Sequence, residues 1–195
     1  MKNIIFLFVF LSSLQLIAQQ YVVTPSGLRN AKNLEKEYVV IEVEGVSAKQ
    51  LYENSIKYII ENYKNPEKAL KAATEGEFLK FHTNKSSFES LNFIIHTDSS
   101  GEVPIWPNYT TELRFKEGRV RYEIKKLGMA APPPFFGAKF SPHQNYASPE
   151  NITVYNKNGK LSREKAKVDI ESYFNNTVSR LSKFLSGEDD STDDW

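Results

Sequence analysis

The sequence predicts an α+β fold with the element order β-α-β-β-β-β-α. Three observations carry that reading. Tyr38 to Glu44 (YVVIEVE) is rich in β-branched residues and alternates with period two in its second half, as a half-buried strand does. Two stretches centred on Glu-Gly pairs, at 75–76 and 117–118, each read as a hairpin. Two longer stretches, beginning near Ser47 and Ser162, place apolar residues at helical spacing.

A chain of 195 residues, 40% hydrophobic and 25% charged, suits one globular domain with one sizeable core. Residues 1–18 are set apart as a signal peptide. Lys2 precedes an unbroken apolar run from Ile4 to Leu11, and Leu16-Ile17-Ala18 ends in a small residue before Gln19. Ser12, Ser13 and Gln15 interrupt the run before it reaches the length of a membrane span, which favours a cleaved signal over an uncleaved anchor. The chain is therefore expected to be exported, periplasmic or envelope-associated, with no transmembrane segment after cleavage. Losing Lys2 leaves 24 basic and 24 acidic residues, a balance with no overall attraction for phosphate backbones or anionic lipid. There is no cysteine, so neither disulfides nor thiolate chemistry enters.

The elements follow in order. Residues 19–37 read as an N-terminal arm with a Pro25-Ser26-Gly27 turn, and a single α+β domain spans 38–186. After the first strand, Ser47 and Gln50 form a capping box, with Val46 and Leu51 at the staple positions. Tyr52, Ile56, Ile59, Ile60 and Tyr63 share a stripe on the helix that follows, and Asn65-Pro66 ends it. In the first hairpin, pairing 74 with 77 sets Leu70 opposite Phe81 and Ala72 opposite Leu79. Phe93-Ile94-Ile95 reads as a short strand, and 98–108, with Pro104 and Pro107, as turn-rich.

In the second hairpin, 109–127, pairing 116 with 119 gathers Leu113, Phe115, Val120, Tyr122 and Ile124 on one side. The other side collects Glu112, Arg114, Lys116, Arg119, Arg121, Glu123 and Lys125. Residues 128–150 form a long irregular loop containing Pro132-Pro133-Pro134-Phe135-Phe136. Ile152 to Tyr155 is a further short strand. Ser162 is the expected N-cap of the last helix, whose buried stripe is Ala166, Ile170, Phe174, Val178, Leu181 and Leu185, with Gly187 just past its end. The tail 187–195 is acidic and expected to be disordered.

Signals for chemistry are sparse. His82, His96 and His143 form no ligand pair, and no phosphate loop, dinucleotide fingerprint or nucleophile elbow is present. No cofactor, metal site or catalytic residue is assigned. The charged side of the second hairpin reads as the solvated face of a half-buried sheet or as a contact surface. Arg114 faces Arg121 there, and the hairpin's aromatics lie on the opposite side, unlike a single-strand nucleic-acid binder. Candidate partner contacts are Arg114 and Arg121 on that face, and Phe135 and Phe136 in the loop, where three prolines stiffen an aromatic pair that either meets a partner or covers the sheet end.

The segments YVVIEVEGVSAKQLYENSIKYIIENYKNP (38–66), EGEFLKF (75–81) and YTTELRFKEGRVRYEI (109–124) resemble an uncharacterised-domain family of exported Gram-negative proteins. The fold of that family is like that of the TATA-box-binding protein. The resemblance covers residues 21–127 well and implies a curved antiparallel sheet of about five strands with two helices packed on one face. It carries no active or binding residues over, and the namesake's DNA binding does not transfer, because fold is not function. The expected role is that of a non-catalytic envelope module binding a protein, peptide or glycan, without nucleic acid. The alternative is a hydrolase with a site between the charged sheet face and loop 128–150.

Overall fold

A computed structural model describes residues 20–84, 93–97, 101–130, 139–141, 152–156 and 158–188. The fold is α+β with an open antiparallel sheet. The signal segment 1–18, Phe135 and Phe136, His143, most of loop 128–150 and tail residues 189–195 lie outside the described residues.

The elements are β1 (Tyr21–Thr24), β2 (Gly27–Asn30), β3 (Tyr38–Glu42), α1 (Ala48–Asn62), the single turn α2 (Pro66–Ala69), β4 (Leu70–Thr74) and β5 (Phe78–Thr83). They continue with β6 (Phe93–Thr97), β7 (Gly101–Lys116), β8 (Arg119–Ala130), β9 (Lys139–Ser141), β10 (Ile152–Thr153) and α3 (Glu164–Ser186). Among the described residues, eight strands make one sheet in the order β10-β9-β8-β7-β5-β4. β3 is added along the 119–123 part of β8, and β6 along the 101–105 part of β7. The long β7–β8 hairpin is thus a spine shared by two smaller groups of strands.

The register of that hairpin is the expected one: Leu113 faces Tyr122, Phe115 faces Val120 and Lys116 faces Arg119. Gly118 takes a left-handed φ of 69° while Glu117 does not, so the glutamate is spared the strain that a type I′ turn would impose on it. Contacts to the chain before α1 secure the tip. Val43 N donates to Gly118 O at 2.8 Å, Gly118 N donates to Val46 O at 2.9 Å, and Glu117 accepts from the Ala48 N–H that opens α1.

Other expectations are corrected. The first hairpin pairs Thr74 with Phe78, so Glu75 to Glu77 form a three-residue loop with Gly76 at φ 70°. A bulge between Leu70 and Ala72 then restores Leu70 opposite Phe81, and Ala72 meets Lys80 rather than Leu79. Residues 101–108 belong to β7 rather than to turns. Pro104 pairs only towards β6 and Pro107 only towards β8, so each missing N–H falls where the strand has one neighbour among the described residues. The sheet therefore has more strands than the five expected, because short strands without internal alternation are added at its far end.

Helix α1 is capped by Ser47 as expected, with its side chain accepting from Gln50 N. Its buried face is centred on Leu51, Ser55, Tyr58 and Ile59, whereas Ile60 is exposed and Tyr52 and Ile56 are half-buried. Ser55 fits at the centre because its hydroxyl donates back to Leu51 O and needs no other partner. In α3 the expected stripe is buried at all six positions. Arg163, not Ser162, is the N-cap, because the Ser162 hydroxyl donates to Val154 O instead. At the other end, Gly187 is left-handed and Glu188 N donates to Lys183 O, closing a Schellman motif. Edge-on ring contacts of Tyr52 with Phe115, Tyr63 with Phe81 and Phe174 with Tyr109 place α1 and α3 on the same sheet face. No described helix is long and apolar enough to cross a membrane.

The expected arm is a hairpin built into the core. Tyr21 is fully buried, meets Tyr122 edge-on and donates its hydroxyl to Tyr122 O at 2.9 Å. α3 serves β1 as a neighbouring strand would. Asn175 Oδ1 accepts from Gln20 N and Tyr21 N, Asn175 Nδ2 donates to Tyr21 O, and Glu171 accepts from Val23 N. The Asn175 side chain is therefore buried and engaged in the folded chain. Asn175→Ala leaves buried Tyr21 backbone groups unpaired and is expected to cost about 2–4 kcal/mol in urea unfolding with an unchanged denaturant slope.

Candidate functional site

Both helices cover the inner face of the sheet, so the outer face is made by the outward residues of β3, β8, β7, β5 and β4. Register fixes its rows. One row runs Val40, Arg121, Arg114, Phe78, Thr74 across five strands. The next runs Tyr38, Glu123, Glu112, Lys80, Ala72, and a shorter row at the hairpin tip holds Glu42, Arg119 and Lys116.

Arg114 and Arg121 are brought together as expected, directly opposite one another. Phe115 and Tyr122 point inward and are buried, so the alternation expected of the hairpin holds. Tyr38 and Phe78 are outward aromatics that the hairpin alone does not reveal. The Arg121 guanidinium lies 3.9 Å from the centroid of the Tyr38 ring, and that of Arg114 lies 5.0 Å from Phe78. Each such stack contributes about 0.5–1 kcal/mol at an exposed site and holds the fork in a set direction. The signal for both aromatics was available. If Val39, Ile41, Leu79 and Phe81 face the core, then Tyr38 and Phe78 face away.

Charge on this face is unevenly compensated. Arg121 Nη2 meets Glu123 Oε2 at 2.6 Å, Lys125 also pairs with Glu123, and Lys80 meets Glu112 at 2.8 Å. Glu123 is 5% exposed. Burial pushes its carboxyl up, but hydrogen bonds from Lys125 and Arg121 outweigh that and hold it below the usual carboxylate value. Lys125 is correspondingly raised, first by its hydrogen bond to Glu123. Arg114, Lys116 and Arg119 have no ion pair among the described residues. With Arg121, Tyr38, Val40 and Glu42 they line an open groove of about 470 Å³.

The remaining polar groups lie elsewhere. His82 is paired with Thr110 at 3.4 Å, and burial together with Lys71 lowers its pKa. His96 is held between Asp169 of α3 at 3.1 Å and Glu102 at 3.6 Å, where it ties β6 to the helix. No group of three metal-ligating side chains occurs among the described residues.

A crystal structure of a DUF4468 family protein from Bacteroides ovatus ATCC 8483 matches the chain with a TM-score of 0.52 and 15% identity. The match covers 79% of this chain and 86% of that one. It bears out, at the level of fold, the expected likeness to an uncharacterised-domain family of Gram-negative bacteria. No family model and no curated protein matches the chain.

Because the Glu123 carboxyl is depressed in the folded state, its contribution is present above the ordinary value of 4.5 and lost as pH falls through and below it. Glu123→Gln is expected to lower stability near neutrality and to flatten the fall in urea midpoint on acidification through that window. An unchanged acid slope in the variant would show that Glu123 is not the group responsible.

Proposed function

We propose that the chain is an exported, non-catalytic module of the cell envelope whose outer sheet face binds the anionic surface of a protein, peptide or glycan. The observation that carries this reading is the uncovered row of cations. Arg114, Lys116 and Arg119 stand on an open face without carboxylate partners among the described residues, beside an Arg121 already oriented by Tyr38 and Glu123. Opposed like charges repel by about 1–4 kcal/mol at contact distance near a protein surface, and a bound anion relieves that repulsion. The residue pattern of 1–18 supports export. Nucleic acid is disfavoured because a guanidinium already lies over the Tyr38 and Phe78 rings and takes part of the surface that bases would stack on.

Two measurements test the reading. In cell fractionation the mature protein is expected in the envelope fraction, with Gln19 as its first residue. On a polyglutamate resin the wild type is expected to be retained and to elute as salt shortens the screening length below about 10 Å. Arg114→Glu combined with Arg119→Glu is expected to pass unretained while keeping its far-UV spectrum. Equal passage of wild type and variant would remove the anion-binding reading.

A further inference from the structure

We infer that the partner is an extended acidic peptide whose carboxylates recur at every second residue, lying on the outer face parallel to β7 and β8. The inference rests on the anion-binding reading above and gives it a spacing. Arg114 stands opposite Arg121 and Lys116 opposite Arg119, so two cation pairs follow one another along the hairpin. Within a pair the Cβ atoms are about 5 Å apart, and successive pairs are separated by two residues of strand, about 6.8 Å. An extended peptide puts alternate side chains on one side with that same step. One carboxylate thus settles between Arg114 and Arg121, and the next between Lys116 and Arg119.

The charges suit this occupant. Arg121 already shares Glu123, so the two pairs hold three unneutralised cations for two incoming carboxylates. Stacking on Tyr38 and Phe78 leaves the guanidinium edges as the donors, a geometry made for planar carboxylates. The intervening peptide residues point away from the sheet and need only be small or polar. Glu42, opposite Arg119, is the one acidic group among the described residues lining the groove and sets a charge against the ligand at its tip end. A base stacks on an open aromatic face, and the Tyr38 and Phe78 rings each already carry a guanidinium. A second copy of the face would oppose cations to cations.

The experiment uses the full mature chain and fluorescence anisotropy with two labelled peptides of one composition, one alternating Asp-Ser and one with its aspartates contiguous. The alternating peptide is expected to bind at least about fivefold tighter, and Arg114→Ala to cost about tenfold. Glu42→Gln, which a folding defect cannot imitate, is expected to tighten binding about twofold to threefold. Equal binding of the two peptides overturns the spacing while leaving an anion-binding face. Tighter binding of an oligonucleotide or of polygalacturonate overturns the peptide as partner. No binding of any of these polyanions overturns this inference and the reading beneath it together.

Discussion

Leu113 faces Tyr122 and Phe115 faces Val120 across the long hairpin, and a slip of one residue would set those positions against arginines. The rest of the molecule is arranged around that register. It gives the two helices an apolar face to cover, brings the Tyr52, Tyr63 and Phe174 rings against the sheet, and sends Arg114, Lys116, Arg119 and Arg121 to the other side. The tip contacts through Val43, Val46 and Ala48 hold the register at the end where slippage would begin.

The same hairpin changes its rule halfway. Opposite Asn108 to Thr110, β8 carries one residue more than β7, and Lys126 takes a left-handed φ of 52° to accommodate it. Before the bulge the even positions of β8 face the core, as Val120 and Tyr122 do. Beyond it the buried residue is Met129. β7 keeps its parity throughout, with Ile105, Leu113 and Phe115 all buried. The bulge therefore re-aims only one strand, and the sheet turns from the group formed with β3, β5 and β4 to the group formed with β6, β9 and β10.

That change marks how far the fold was legible in the sequence. Where alternation was unbroken, as in β3 and 109–125, register and facing could be read from residue types. The α3 stripe was equally plain because its apolar positions have no competitors. Pro104 and Pro107 concealed the first half of β7, since their strand character depends on neighbours that are absent on one side. Lys126 and the Leu70–Ala72 bulge broke the period at residues with no special preference for doing so. For α1, a surplus of apolar residues drew the expected stripe through Tyr52, Ile56 and Ile60, and packing turned the buried face to the one centred on Ser55 and Tyr58. Of the candidate site, Arg114 and Arg121 were legible from one hairpin, but their aromatic supports, Phe78 and Tyr38, come from β5 and β3, distant in sequence, where only topology joins them.

The bonds from Asn175 and Glu171 to the first strand span 154 and 148 residues. The Tyr21 backbone N–H and C=O are thus both satisfied by a side chain of the final helix. Contacts of that separation are costly in loop entropy and form late. Full seating of the Tyr21 to Val23 strand therefore waits for α3: a product lacking residues 164–186 keeps the β2 pairing and the Tyr122 contact but loses the acceptors of the Tyr21 and Val23 N–H groups.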